Sequence, residues 1–261
     1  MIKLKADPNN PAQFFGACGF LELASRLAPA VSARWQTGCI EVSGPTNFRQ
    51  VLELIGKFTI KAPASTKELV IEENVRPFDL VAQGGAEFHL RMDWWESRDG
   101  LDNSMWKCFA ARMPADGTTK KMLNLCATVS ASATEDNLFD LKGLESGRLG
   151  FDPRSSWDAA DSGFSPNEHS TLKEAATYPY AELLTSIAAQ TFPFGCGDAG
   201  NRRRGRYFTW PIFLPISLAR WVAATGNGIR GTQEYAFERV MRGQGLSGLS
   251  YANAVVTIYG S

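Results

Sequence analysis

Histidine is nearly missing from this chain: only His89 and His169 occur in 261 residues. A nuclease or metal centre of the histidine-rich kind would lack both its bases and its ligands. Cysteine is sparse as well. Cys18, Cys39, Cys108, Cys126 and Cys196 are scattered and odd in number, with no Cys-x-x-Cys pair. That spacing does not supply the four ligands of a structural zinc site. No uninterrupted apolar run reaches the roughly 20 residues that span a bilayer. The opening Met1-Ile2-Lys3-Leu4-Lys5 leads straight into Asp7-Pro8-Asn9 without a secretory leader pattern. These absences predict a reduced, soluble, cytoplasmic protein with no membrane partner. Catalytic signatures are missing too. There is no phosphate-binding Gly-x-x-x-x-Gly-Lys-Ser/Thr loop, no Gly-x-Ser-x-Gly elbow, and no Rossmann glycine set after a strand. No cofactor is expected.

Net charge is also absent, but only in sum, with 27 basic and 27 acidic residues. From Glu135 to Asp198 there are 11 acidic and four basic residues, whereas residues 201–261 hold eight basic and two acidic ones. Local potential, not the sum, governs phosphate binding, so a neutral chain with a basic segment can still hold nucleic acid. The basic segment opens on Asn201-Arg202-Arg203-Arg204-Gly205-Arg206-Tyr207-Phe208-Thr209-Trp210-Pro211. Four guanidinium groups crowded together repel one another unless an anion sits nearby. Their planar forks suit phosphate oxygens, and aromatic faces stack on bases. Asn201, Arg202, Arg203, Arg204, Arg206, Tyr207 and Trp210 are therefore candidate nucleic-acid contacts. The bland alternative is a solvated loop paired with acidic neighbours. A second basic feature comprises Lys107, Arg112, Lys120 and Lys121 around Thr118 and Thr119. At a helix N-terminus, Thr119, Lys120 and Lys121 would add ammonium and hydroxyl groups to backbone N–H groups that attract anions.

Hydrophobic periodicity predicts an α+β protein with a mixed, mostly antiparallel sheet, packed helices and an irregular, loop-rich second half. Ile2–Lys5 reads as a strand. Asn10 and Pro11 open a helix to Leu27, with Gln13 placed to complete a capping box. Its apolar positions cover nearly every side, leaving Gln13, Glu22, Ser25 and Arg26 as a polar edge. Gly16 and Gly19 would let another backbone approach closely. A hairpin follows from Arg34 to Val42, turning at Thr37-Gly38, and then a helix from Asn47 to Ile55. Strands are expected at Glu68–Glu72 and Ala86–Trp95, the latter burying Phe88, Leu90, Met92 and Trp94. A helix opens at Thr119, another runs from Tyr180 to Gln190, and Tyr207–Leu214 reads as a strand. Pro215 starts a helix from Ile216 to Ala224, and strands at Tyr235–Arg242 and Leu249–Tyr259 close the chain. Ala252, Ala254, Val256 and Ile258 should share one face. The polar, turn-rich stretch after Gly143 suggests an N-terminal domain over 1–142 and a C-terminal region over 143–261 carrying the arginine loop, unless the two form one continuous domain.

Asp152, Asp158, Asp161, Glu168 and His169 are the nearest approach to a metal cluster, with His169 as a base for a metal-dependent hydrolase. Aspartate in such a segment serves turns and caps more often. His89 lies on the polar face of its strand without an evident partner.

Three segments carry a family likeness. They are Asp7-Pro-Asn-Asn-Pro11-Ala-Gln-Phe-Phe-Gly-Ala-Cys-Gly-Phe-Leu-Glu-Leu-Ala24, Phe151-Asp-Pro-Arg154 with Ser162-Gly-Phe-Ser165, and Tyr178-Pro-Tyr-Ala-Glu-Leu-Leu184 continued by Arg206-Tyr-Phe-Thr-Trp210-Pro and Leu214-Pro-Ile-Ser-Leu-Ala219. Together they resemble the Csb-type CRISPR-associated proteins of subtype I-G (formerly I-U), classed as the Cas-eight-like large-subunit component of a Cascade effector. The resemblance implies a non-enzymatic subunit that binds crRNA and double-stranded target DNA, helps recognise the protospacer-adjacent motif and supports strand opening. Its implied partners are the backbone and crRNA-end subunits of Cascade and a recruited helicase-nuclease. The chain is short for a large subunit. A protein-only scaffold, with the arginine loop docked on an acidic surface, is the remaining alternative.

Overall fold

The computed structural model describes residues 1–61, 77–82, 88–94, 115–145, 149–155, 175–196, 204–241 and 247–255. Over these residues the protein is α+β, with five α-helices and antiparallel sheets.

The chain opens with β1 (Ile2–Lys5), then α1 (Pro11–Leu27). The Asn10 side chain accepts hydrogen bonds from the Ala12 and Gln13 amides at 2.9 and 3.3 Å, capping α1 as expected. The capping box does not close. The Gln13 side chain instead accepts from the Asp7 amide at 2.7 Å, tying down the approach to the helix. Of the predicted polar edge of α1, Gln13 and Glu22 are buried, at 7% and 1% exposed, while Ser25 is half-buried and Arg26 exposed. Buried charge needs partners. Glu22 has three, taking hydrogen bonds from Arg26 Nε at 2.7 Å, from Arg220 and from Thr191 at 3.2 Å.

β2 (Ser32–Gln36) and β3 (Cys39–Ser43) form the predicted hairpin, with Gly38 at φ 71° in its turn. Only glycine takes that backbone conformation without strain. With β1 and β11 (Leu214–Pro215) they make a sheet ordered β1-β3-β2-β11. α2 (Phe48–Gly56) carries the capping box that α1 lacks, between Asn47 and Gln50. A three-stranded sheet joins β4 (Phe58–Lys61), β5 (Phe78–Ala82) and β6 (Phe88–Met92). In β6 the side chains alternate as predicted, with Phe88, Leu90 and Met92 buried and His89 and Arg91 exposed. The predicted strand at 68–72 lies outside the described residues.

α3 (Ala115–Val129) is followed by the short pair β7 (Gly143–Glu145) and β8 (Ala175–Thr177). α4 (Pro179–Thr191) comes next. The largest sheet is built from β9 (Gly195–Cys196), β10 (Arg204–Thr209), β12 (Gln233–Met241) and β13 (Ser247–Leu249), with β14 (Asn253–Ala254) also pairing with β12. α5 (Ile216–Thr225) follows β11 and ends on Gly226 in the left-handed region. The closing strand is broken, not continuous: Ala252 is buried but Ala254 is exposed, and 256–261 lie outside the described residues.

One hydrophobic core holds all this together. It includes side chains from Ile2 to Ala252, so it runs across the 142/143 boundary proposed from sequence. At its centre α1 packs against α4. A Cβ placed on Gly19 would sit 2.0 Å from the Leu184 carbonyl oxygen, and one on Gly16 would press the Phe139 ring at 2.8 Å. Glycine at 19 is thus a condition of the helix pairing. Gly19→Ala should lower the urea midpoint by an amount worth about 1–3 kcal/mol, the usual range for overpacking. Gly56→Ala, where an added methyl meets nothing within 4 Å, should be neutral or stabilising by ~0.5 kcal/mol. Equal effects of the two changes would show that α1 and α4 can part.

Candidate nucleic-acid interface

β10 contains part of the arginine-aromatic run and divides it between two faces. Along Arg204–Thr209 the side chains alternate exposed and buried up to Tyr207, because successive residues of a strand point to opposite sides. Arg204 and Arg206 face outward. Tyr207 faces the core, and Trp210, just beyond the strand, is also fully buried.

The predicted base-stacking platform is therefore core. Tyr207 and Trp210 have no exposed face, so neither can stack on a base in this structure. Tyr235, Tyr207, Phe14 and Trp35 form a nearly parallel column, with successive centroids 5.6, 4.2 and 5.0 Å apart. Trp210 abuts Phe14 and Trp35 edge-on. Each polar end is satisfied: Tyr207 Oη donates to the Pro8 carbonyl at 2.6 Å, and Trp210 Nε1 donates to the Ala33 carbonyl at 2.7 Å. Burial, with the nearby Tyr235 and Asp7, pushes the Tyr207 hydroxyl pKa well above its ordinary value. The aromatic half of the motif clamps β10 onto α1 and β2.

The exposed half is paired. β12 runs antiparallel to β10, with Arg204 opposite Glu238 and Phe208 opposite Glu234. Arg204 Nε lies 2.7 Å from Glu238, and Arg206 lies 3.7 Å from Glu234. Both arginine side chains remain about half exposed or more, at 61% and 49%. Exposed pairs of this kind contribute little stability, ~0.2–1 kcal/mol, and exchange readily for other anions. Asn201, Arg202 and Arg203 lie outside the described residues.

The second basic cluster is not at a helix start. α3 already includes Ala115, so Lys120 and Lys121 sit in its second turn, away from the free backbone N–H groups. Thr118 and Thr119 are buried, and the Thr119 hydroxyl has no hydrogen-bond partner. A group enclosed in this way cannot meet a phosphate. Lys120 is exposed, and Lys107 and Arg112 lie outside the described residues.

Of the proposed metal cluster, only Asp152 is described. Its Oδ1 accepts from the Arg154 amide and Nε at 2.9 and 3.0 Å and from Asn10 Nδ2 at 3.2 Å, while Oδ2 accepts from Arg154 at 2.7 Å. Asp152 is a turn and ion-pair residue, as its segment suggested. Burial works against the Arg154 charge, but Asp152 and then Asp140 more than offset it and raise its pKa. The Arg154 guanidinium also stacks 3.6 Å from the Tyr178 ring centroid. Asp158, Asp161, Glu168 and His169 lie outside the described residues. Among the described residues no three His, Cys, Asp or Glu side chains come together as metal ligands. His89 gains the partner its strand did not reveal, Asp79 at 3.1 Å. Cys18 and Cys126 are buried thiols whose pKa burial raises, the opposite of an activated nucleophile.

Sequence reasoning missed the role of buried glutamates. Glu41, on β3, faces Lys3 on β1 and Arg34 on β2 in direct register. It pairs with them at 3.1 and 2.7 Å. Glu182, at the start of α4, accepts from the Phe151 and Asp152 amides at 3.1 and 3.0 Å. The register of Arg34 against Glu41 follows from the Thr37-Gly38 turn and could have been read from the hairpin, whereas the pairing of Lys3 on β1 with Glu41 is not set by that turn. The Glu182 contact spans 30 residues and carries no local signal. No protein-family model matches the chain, and no curated protein matches it. No helix among the described residues is long and apolar enough to cross a membrane.

Two outcomes follow from this geometry. Trp210→Ala should destabilise the fold by about 3–5 kcal/mol, as for other large aromatic deletions in a core. Thermal unfolding that leaves the midpoint unchanged would put Trp210 on the surface. The Arg34 hydrogen bond is the main cause holding the Glu41 carboxyl pKa below its ordinary value, with Lys3 adding to it against the effect of burial. A depressed carboxylate stabilises the fold above its unfolded pKa, about 4.3, and loses that contribution as pH falls through the lower folded value. The urea-midpoint gap between wild type and Glu41→Gln should be full near neutrality and shrink below about pH 4. A gap independent of pH would show that Glu41 acts only by packing.

Proposed function

We propose that this protein is a non-catalytic, nucleic-acid-binding subunit of a type I CRISPR Cascade ribonucleoprotein, in the position of its Cas-eight-like large subunit. In that role it binds crRNA and double-stranded target DNA, helps recognise the protospacer-adjacent motif and helps open the duplex in the cytoplasm. The backbone and crRNA-end subunits hold it in the complex, and a helicase-nuclease is recruited after it. Base pairing carries most of the sequence reading, leaving the protein a short motif and the shape of the backbone.

The observation that carries the reading is the outward face of β10. Arg204 and Arg206 stand on a strand whose other face is locked into the core by Tyr207, so the guanidinium groups are presented from a rigid support. They begin a run that has Arg202 and Arg203 next to it in sequence. Glu238 is exposed and Glu234 half-buried, and phosphate can compete for the arginines.

The family likeness gains support from how its segments lie in space. Asn10 of the first segment donates to Asp152 of the second. Glu182 of the third receives two amides of the second, and Tyr207 of the third donates to Pro8 of the first. The described parts of these segments form one connected piece of structure, with α1 at its centre, and 162–165 lie outside the described residues.

The test is target-DNA affinity of the assembled complex across a salt series. Replacing Arg202, Arg203, Arg204 and Arg206 by Gln should make the slope of log affinity against log salt shallower by about 2–4 units, at ~0.9 for each phosphate that is no longer neutralised. Glu234→Gln with Glu238→Gln should tighten binding, because the arginines no longer divide their charge between carboxylate and phosphate. The wild-type chain should also co-purify with a small processed RNA when expressed with its operon. Unchanged affinity and slope in both variants would leave these arginines as solvated cross-strand pairs and remove the reading.

A further inference from the structure

Four of the exposed large apolar side chains come from one short stretch of the chain, 212–221. Ile212, Phe213, Leu218 and Trp221 are 48%, 37%, 50% and 48% exposed. They come from the loop after β10 and from the outward side of α5, where Leu218 and Trp221 are three residues apart and share a face. The glycine-rich turn 226–231 links the two parts. A Cβ on Gly228 would sit 3.6 Å from the Trp221 ring, and one on Gly231 would sit 3.2 Å from Pro211. Large apolar side chains exposed this close together along a folded chain mark a contact site.

The surroundings of the patch are positive. Between residues 211 and 233 the chain holds Arg220 and Arg230 and no acidic residue. Arg230 is exposed on the same turn. The Arg34 guanidinium lies over the Phe213 ring at 4.5 Å from its centroid. The acidic side chains beneath are too few to cancel this charge. Glu41 is shared by Lys3 and Arg34, and Glu22 by Arg26 and Arg220. Each of these buried carboxylates is met by two cations, so neither by itself neutralises Arg34, which lies over Phe213, or Arg220, which neighbours Trp221.

We propose that this surface docks a protein segment bearing apolar anchors flanked by Asp or Glu. Ile212 and Leu218 offer no π-face, so half of the patch would be wasted on the bases of a single strand. A second copy of this chain would bring one arginine rim against another, and like charges facing across an interface oppose association. An acidic partner meets the rim with complementary charge and covers the apolar centre, where Trp is the residue type that most often dominates binding. The site is distinct from the outward face of β10.

The probe is a fluorescein-labelled helical peptide with Leu and Phe at i, i+3, i+4 and i+7 and Glu at most other positions, titrated with the full chain. Binding should weaken about tenfold or more in the Leu218→Ala, Trp221→Ala double variant, and several-fold in Arg230→Glu. A peptide with Gln in place of Glu should bind less well. Both variants alter exposed side chains, so their thermal midpoints should match the wild type, and this separates a failure to dock from a failure to fold. The assignment is overturned if the peptide does not bind, or binds the double variant as well as the wild type. It is equally overturned if the double variant instead abolishes binding of a single-stranded oligonucleotide, or abolishes self-association seen by sedimentation.

Discussion

The fold depends on a backbone-to-backbone approach between α1 and α4, which Gly19 permits and any Cβ would prevent. Because α1 meets α4 this closely, its remaining faces must be covered by other elements, and its residues from Pro11 to Ala24 are buried. A helix buried all round cannot be stable alone in water, so its formation is inseparable from assembly of the sheets around it. The aromatic column through Phe14 extends that constraint outward to β2, β10 and β12.

Burying α1 whole also buries charge, and the structure handles each carboxylate with its own set of donors. Glu22 joins α1 to α4 and α5 through Thr191 and Arg220. Glu182 holds the 151–152 backbone, and Asp152 holds Arg154 and the N-cap residue of α1. Removing one partner from such a site leaves an uncompensated charge in a poor solvent, which is far costlier than breaking a surface pair. These contacts specify how distant segments meet. They are structural, and they account for carboxylates that in isolation look like candidate ligands.

The outer surface follows from the same core. Fixing Tyr207 and Trp210 inward leaves Arg204 and Arg206 outward, and it sends the chain through an exposed apolar loop before α5 begins. A charged strand face and an apolar, arginine-rimmed patch are thus carried on consecutive elements of one rigid region. In the role proposed above, the first would meet a charged polymer and the second a neighbouring protein.

Local physics made much of this legible in the chain itself. Periodicity and capping residues placed α1 from Pro11 to Leu27, the hairpin at Thr37-Gly38, the alternation of β6 and the start of α5 after Pro215, because short-range sterics and hydrogen bonds decide such features. Tertiary structure alone decided which side of a residue would be used. Tyr207 and Trp210 are aromatic and adjacent to arginines in sequence, yet strand alternation and the demand of the core turned them inward. Thr119 lies beside two lysines but is enclosed by packing, and α3 had begun before it. Asp152 was a plausible ligand until Arg154 and Asn10, the latter 142 residues away in sequence, took its oxygens. Residue type and spacing set what a side chain can do. Its accessibility depends on contacts between distant parts of the chain, and no local pattern encodes those.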